Sequence, residues 1–251
     1  MIRVKNLDKA FYGKSVLTDI SVEFEPGITT LIIGQSGSGK TVLLKSIVGL
    51  YDIDKGEIWY EDTLFNKLAF ADKKKIRSEI GMLFQGSALF DSLTVEQNVR
   101  FPLDMFTEKS PEEKSDRLNF CLKRVNIINA NSLFPSELSG GMKKRVAIAR
   151  AISLNPKYLF CDEPNSGLDP VTAIVIDELI RELTEEYSMT TIVNTHDMNS
   201  VMEIGEKIVF ISEGRKCWEG DKNEVLNSDC KPLNDFVFAN SLAKKIKADA
   251  G

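Results

Sequence analysis

Eight consecutive residues, Gly34-Gln35-Ser36-Gly37-Ser38-Gly39-Lys40-Thr41, hold three glycines, a lysine and a hydroxyl side chain in the pattern GxxxxGK[ST]. Successive backbone N–H groups in such a loop make a nest for phosphate oxygens. Its glycines allow close approach and positive φ, and a helix that follows adds a partial positive charge. Lys40 then reaches the β- and γ-phosphates of a nucleoside triphosphate, and Thr41 ligates Mg²⁺. Far downstream, Asp162 and Glu163 close the run Tyr158-Leu159-Phe160-Cys161. If that run is a buried strand, Asp162 stands at its carboxyl end, where parallel α/β sheets bind ligands. Its carboxylate is expected to hold Mg²⁺ through water. Glu163, next in line, is expected to orient the attacking water and accept its proton, help worth roughly 10²–10⁴-fold in rate.

Two further strand ends carry chemistry. Gln85 follows an apolar stretch at residues 80–84, and its amide can bind Mg²⁺ or water without adding charge. His196, the chain's single histidine, closes residues 189–195 and precedes Asp197. An imidazole there can hydrogen-bond a γ-phosphate. The pentapeptide Leu138-Ser139-Gly140-Gly141-Met142 needs a separate reason. The Ser139 hydroxyl, the exposed N–H groups of Gly140 and Gly141 and a helix N-terminus make a second anion site. Hydrolysis within one chain does not require it. If it meets the γ-phosphate held by another copy, the triphosphate joins two chains head to tail, with Asp169 near the seam.

The elements that must position these groups can be read coarsely. Residues 2–4 and 20–24 alternate as strands, and residues 28–33 form a nearly continuous apolar run that feeds the glycine loop. Leu43, Leu44, Ile47 and Val48 recur at helical spacing up to Gly49. Residues 56–60 read as a further strand. Thr94 with Gln97, and Ser110-Pro111 with Glu113, read as capping boxes, placing a helical lobe at about 86–155 between strands of the main sheet. Strands are expected again at 158–161 and 191–194, a helix from Asp169-Pro170, and a hairpin around Glu213-Gly214. Phe238, Leu242 and Ile246 fall four apart, so the last residues predict a short amphipathic helix that packs on its own domain or docks on a second subunit.

The chain has 251 residues, 43% hydrophobic and 27% charged, which suits one globular domain with a substantial core. A net charge of −5 argues against a nucleic-acid partner, which calls for a basic face. The clusters Lys73-Lys74-Lys75, Lys143-Lys144-Arg145 and Lys244-Lys245 read as solvated helix surface. No apolar run approaches the roughly 20 residues of a membrane span, and no signal-peptide core is present, so a soluble, cytoplasmic chain is expected. Cys121, Cys161, Cys217 and Cys230 show no metal spacing or secreted framework and read as buried reduced thiols.

With these residues in view, residues 1–228 resemble the nucleotide-binding subunit of ATP-binding cassette (ABC) transporters. The motifs occur in family order: Walker A (Gly34 to Thr41), Q-loop (Gln85), signature (Leu138 to Met142), Walker B (Tyr158 to Asp162, with Glu163), D-loop (Ser166 to Asp169) and switch histidine (His196). The resemblance implies an α/β fold: a RecA-like P-loop NTPase core, an antiparallel β lobe and an inserted α-helical lobe. It implies an ATPase using ATP and Mg²⁺, an ATP-dependent dimer, and an integral membrane permease that places the chain at the inner face of the inner membrane, with room for a small accessory subunit. An aromatic near the N-terminus stacks on adenine in that family. Tyr12 matches best and Phe11 second, though an aromatic there could equally be packing. The signature ends in Met142 instead of glutamine, and residues 86–95 are unusually apolar. Together with Arg100-Phe101-Pro102-Leu103 and Pro135-Ser136-Glu137, these features look like the ATPases of lipid-moving MCE or Mla (maintenance of lipid asymmetry) systems. The implied permease contact is a groove beside Gln85, Leu89 and Phe90, residues that could instead belong to the lobe core. The alternatives are another cargo, such as an amino acid or a lipoprotein, or a soluble ATP-gated clamp on nucleic acid.

Overall fold

The computed structural model describes residues 1–238. Strands β1 (Ile2–Phe11) and β2 (Lys14–Phe24) form a hairpin whose turn residues, Tyr12 and Gly13, both have positive φ, as a tight two-residue turn demands. Strand β3 (Thr29–Ile33), buried at every position, leads through the glycine loop into α1 (Lys40–Val48), which Gly49 ends in a left-handed cap. Strands β4 (Lys55–Tyr60) and β5 (Thr63–Leu64) complete an antiparallel lobe in the order β2-β1-β4-β5. Helix α2 (Phe70–Arg77) and strand β6 (Ile80–Leu83) follow.

The inserted helical lobe consists of α3 (Val95–Phe106), α4 (Pro111–Arg124) and α5 (Gly140–Ala151). Both expected capping boxes are formed, by Thr94 with Gln97 and by Ser110 with Glu113. The chain then re-enters the core as β7 (Tyr158–Asp162), α6 (Pro170–Tyr187), β8 (Thr190–Thr195), α7 (Met198–Ile204), β9 (Lys207–Ser212), β10 (Arg215–Gly220) and α8 (Lys231–Val237).

The main sheet runs β10-β9-β3-β8-β7-β6, parallel except for the antiparallel edge strand β10. Its faces serve two cores. Leu31, Ile33, Leu159, Cys161 and Val193 point towards the helical lobe and α6, whereas Ile32, Phe160, Ile192, Val209 and Ile211 point towards α1 and the antiparallel lobe. Because both faces are covered, these strands read as apolar runs without alternation.

Helix α8 packs on the domain itself: Leu233 is buried, and Phe236 lies 5.6 Å from Phe210. Leu242 and Ile246, on which the tail helix was expected, lie outside the described residues. Two of the four cysteines depart from expectation. Cys121 and Cys161 are buried, but Cys217 is exposed, because β10 is an edge strand with one wet face, and Cys230, at the start of α8, is half-buried against that strand. No helix among the described residues is long and apolar enough to cross a membrane.

Candidate nucleotide site

Four neighbouring strands deliver the site. In sheet order β3-β8-β7-β6, their carboxyl ends carry the glycine loop, His196, Asp162 with Glu163, and Gln85. The loop's conformation explains its glycines. Gly34 has φ 149°, and a Cβ there would fall 2.2 Å from the Ile211 carbonyl oxygen. Gly39, with φ 107°, precedes α1 and presses against Leu17. Lys40 donates from Nζ to the carbonyls of Gly34 (2.8 Å) and Gln35 (3.1 Å), curling its ammonium over the loop. Burial pulls its pKa down, and the carboxylates of Glu163 and Asp162 pull it back up. Ser38 Oγ is buried in the loop without a hydrogen-bond partner, an orphaned hydroxyl in a phosphate cradle.

Thr41 Oγ1 donates to Asp162 Oδ1 at 2.9 Å, and Asn194 Nδ2 donates to the same oxygen at 3.1 Å. Glu163 is clasped from both sides. Gln85 Nε2 donates to its Oε2 at 3.0 Å, and His196 Nδ1 lies 3.2 Å from its Oε1. Its backbone has φ 49°, the left-handed region that a non-glycine residue enters at a cost. The glycine loop, Lys40, Thr41, Gln85, Glu163 and His196 line one open cleft of about 1140 Å³, with Asp162 and Asn194 buried behind Thr41. A smaller cavity of about 310 Å³, walled by Arg117, Tyr158 and Tyr187, lies at the other ends of β7 and β8 and contains none of the residues expected to bind nucleotide or Mg²⁺.

Other expected residues stand apart from this cleft. Tyr12 is fully exposed, and the wall nearest the hairpin is Val16. Phe11 packs edge-on against Tyr51 at 5.3 Å. Ser139 caps α5 by accepting from the Met142 N–H at 3.3 Å. Gly140 and Gly141 lie against the start of α6, where a Cβ on Gly141 would fall 2.7 Å from Thr172 Cγ2. Asp169 caps α6, accepting from the Thr172 hydroxyl (2.5 Å) and N–H (3.0 Å), and these bonds hold its carboxyl below the usual carboxylate range.

One reading of the sequence is overturned at Lys144. It is 4% exposed, not solvated, and its ammonium donates to the carbonyls of Gln85 and Glu163. The helical period holds the signal: Lys144 shares a face of α5 with buried Ala147 and Ile148. Asn194 was also missed, because a lone asparagine inside an apolar strand carries no motif.

The donor set fits a hard cation. Thr41, Asp162 and Gln85 offer oxygens, and no group of three or more His, Cys, Asp or Glu among the described residues makes an all-protein cage. Mg²⁺ with several waters and substrate phosphates suits so sparse a set.

A parallel sheet with a phosphate loop after one strand, acidic, amide and imidazole groups at its neighbours' ends, and an inserted helical lobe defines a P-loop ATPase of the cassette type. A profile of the ABC transporter family matches residues 17–166. The methionine import ATP-binding protein MetN of Carboxydothermus hydrogenoformans is 37% identical, over 98% of this chain and 73% of that relative. A probable ribonucleotide transport ATP-binding protein of Mycobacterium leprae is 33% identical, over 94% of this chain and 66% of that relative. Among solved structures, a dimeric post-hydrolysis state of the ATP-binding cassette MJ0796 bound to ADP and Pi has a TM-score of 0.82. It is 33% identical and covers 88% of this chain and 99% of that one. CbiO1 from Clostridium perfringens has a TM-score of 0.84 at 29% identity, covering 99% and 98%. The chain belongs to the ATP-binding subunits of ABC transporters; it binds ATP and is an ATPase.

Proposed function

We propose that two copies of this chain clasp ATP head to tail, hydrolyse it and drive a separate integral membrane permease whose cargo is phospholipid or another hydrophobic molecule at a bacterial envelope. One observation carries the catalytic part: Glu163 is fixed between Gln85 and His196 at the mouth of the phosphate loop, while residues 139–141 stand outside this chain's own cleft. In this reading the backbone of residues 34–39 and Lys40 hold the β- and γ-phosphates. Thr41, Asp162 and Gln85 hold Mg²⁺, which supplies charge neutralisation on the phosphate oxygens. Glu163 orients water and takes its proton, and His196 bonds the γ-phosphate. The second copy contributes Ser139, Gly140 and Gly141 to that phosphate, with Asp169 at the seam. Tyr12, exposed at its hairpin tip, is free to stack on adenine.

In this reading the permease docks on the groove beside Gln85. There Leu89 is packed into the lobe, Phe90 remains partly exposed 4.9 Å from Phe101, and exposed Met105 and Phe106 extend the patch. This apolar surface, Met142 and the stretch 86–95 support the MCE or Mla-type lipid reading. The chain then sits at the inner face of the inner membrane through its permease, with a small accessory subunit as a further partner. Residues 1–228 are assigned to the ATPase unit and the remainder to a tail. An amino-acid cargo is the second reading, supported by relatives named for methionine import. Pull-down from detergent-solubilised membranes, with proteins and extracted lipids identified, separates the two. Co-purified permease with enriched phospholipid is the expected result. Methionine-stimulated hydrolysis in the purified complex would favour the second reading, and stimulation by DNA or ribosomes would overturn both.

A further inference from the structure

Two loops of the cleft are tied together behind it by three polar side chains that the chemistry above leaves without a task. Asn165 lies in the loop that follows Glu163, and Ser200 lies in the first turn of α7, just beyond His196. Both loops line the cleft. Asn165 Nδ2 donates to Ser200 Oγ at 3.1 Å, and Ser200 is buried. Asp177, on α6, is 2% exposed, and its carboxyl lies where the side chains of Ser200 and Asn165 act on it. Asp177 Oδ1 and Asn165 Oδ1 are both shut off from solvent, and neither has a hydrogen-bond donor. Orphaned acceptors of this kind are costly, and a neutral carboxyl supplies the donor that an ionised one lacks.

The electrostatics agree. Burial pushes the Asp177 carboxyl up to about 6, against the hydrogen-bonding pull of Ser200 and Asn165. Asp197 and Glu203, which begin and belong to α7, push it further up. From β7, the Cys161 thiol is the titratable neighbour.

We propose that Asp177, Asn165 and Ser200 form a positioning latch through which the loop after Glu163 and the helix after His196 move as one body. The inference rests on the reading that Glu163 and His196 flank the reacting phosphate. Its physical basis is the Glu163 backbone. A non-glycine residue at φ 49° stays there only where its surroundings over-determine it. The Glu163 N–H donates to the Asn194 carbonyl at 3.0 Å on one side, and the latch holds the chain two residues later on the other. Without the latch the 163–167 loop can relax towards an ordinary conformation, carrying the Glu163 carboxylate out of reach of His196 and of the attacking water.

The test compares ATP hydrolysis across about pH 5.5–8, and ATP affinity, in the intact protein and in Asp177→Ala, Asp177→Asn and Ser200→Ala. Asp177→Ala is expected to lower kcat about tenfold with ATP affinity held within about twofold, the mark of misplacement and not of lost binding. Asp177→Asn, a fixed mimic of the neutral carboxyl, should rescue kcat, and its ratio to the parent should rise as pH passes through about 6, where the parent loses its proton. Ser200→Ala removes the Asn165 acceptor without emptying the core. It should lower kcat about threefold, and it keeps the idea testable if Asp177→Ala fails to fold. The latch is overturned if Ser200→Ala leaves kcat unchanged, or if the Asp177→Asn ratio is flat with pH. Glu163→Gln, run alongside, separates the two levels: turnover that survives in that variant sinks the catalytic reading itself, whatever the latch variants show.

Discussion

At the scale of single residues, the site depends on charges that are buried and answered. The Lys144 ammonium donates to the carbonyls of Gln85 and Glu163, so one side chain of the helical lobe ties together the backbone of two loops that line the cleft. Burial lowers its pKa, and the neighbouring Cys161, Glu163 and Asp162 oppose that shift. Lys144→Met leaves the Gln85 carbonyl unanswered and the Glu163 carbonyl with the Ser166 N–H alone. It should cost about 1–3 kcal/mol of stability and at least tenfold in kcat, read by thermal unfolding and by ATP hydrolysis. An unaffected kcat would mean that the two loops hold their positions without it. Asp177 gives a pH prediction. Its folded-state pKa, about 6, lies above the ordinary 3.8, so the fold prefers the neutral form. The penalty is absent below the unfolded pKa, grows as pH rises from about 4 to 6, and is constant above that. Asp177→Asn should therefore match the parent in stability near pH 4 and exceed it by about 1–3 kcal/mol at pH 7.5, some 2–10 °C in Tm. Equal gains at both pH values would show that the carboxyl does not titrate in this window.

At the scale of elements, the helical lobe is held to the core by a loop that one asparagine organises. Asn98, buried in α3, donates from Nδ2 to the carbonyls of Phe90 (3.1 Å), Leu93 (3.0 Å) and Thr94 (3.0 Å) and accepts from the Phe90 N–H at 2.8 Å. The Phe90 and Thr94 carbonyls also accept from the N–H groups of Leu93 and Asn98, so Asn98→Ala strands the Phe90 N–H and the Leu93 carbonyl and should cost about 1–3 kcal/mol, seen as a lower melting temperature. Because the phosphate loop and Glu163 are untouched, ATP affinity should hold; if the permease docks on the Phe90 surface as proposed, its association should weaken as that surface loses its shape. An unchanged melting temperature would mean that Leu89 packing alone anchors the loop. The sequence was legible where one local rule decides an element. The capping boxes placed α3 and α4, and apolar runs placed the strands covered on both faces. Helix α2 was legible only as the helix surface of Lys73-Lys74-Lys75 and its ends were not, because Ala71, Asp72 and the three lysines hide any apolar period between Phe70 and Ile76. The motif residues converge where four strand ends meet. Lys144, Asn194 and the Asp177 cluster were not legible, since their roles come from which buried atom they answer, and only tertiary packing sets that.

At the scale of the whole molecule, the decisive question is whether one chain holds a complete site. Residues 139–141 lie at the N-terminus of α5 against the start of α6, and the cleft of the same chain is lined without them. If a second copy supplies them, a two-fold dimer contains two sites, each taking Glu163 from one chain and Ser139 from the other. Glu163→Gln should then nearly abolish turnover, retain ATP and accumulate an ATP-stabilised dimer visible by light scattering. Ser139→Arg should block hydrolysis with nucleotide affinity kept. Mixing the two inactive proteins tests the arrangement directly. In a mixed dimer one site carries both lesions, and the other joins an intact Glu163 to an intact Ser139. Random pairing makes half the dimers mixed, so up to about a quarter of parental turnover should return, less whatever is trapped in stable Glu163→Gln homodimers. If each chain completed its own site, every site in the mixture would carry one lesion and no turnover would return. Recovered hydrolysis that scales with the product of the two concentrations, and disappears when either protein also carries Lys40→Ala, would fix the stoichiometry at one intact shared site per mixed dimer and make both nucleotides necessary for closure.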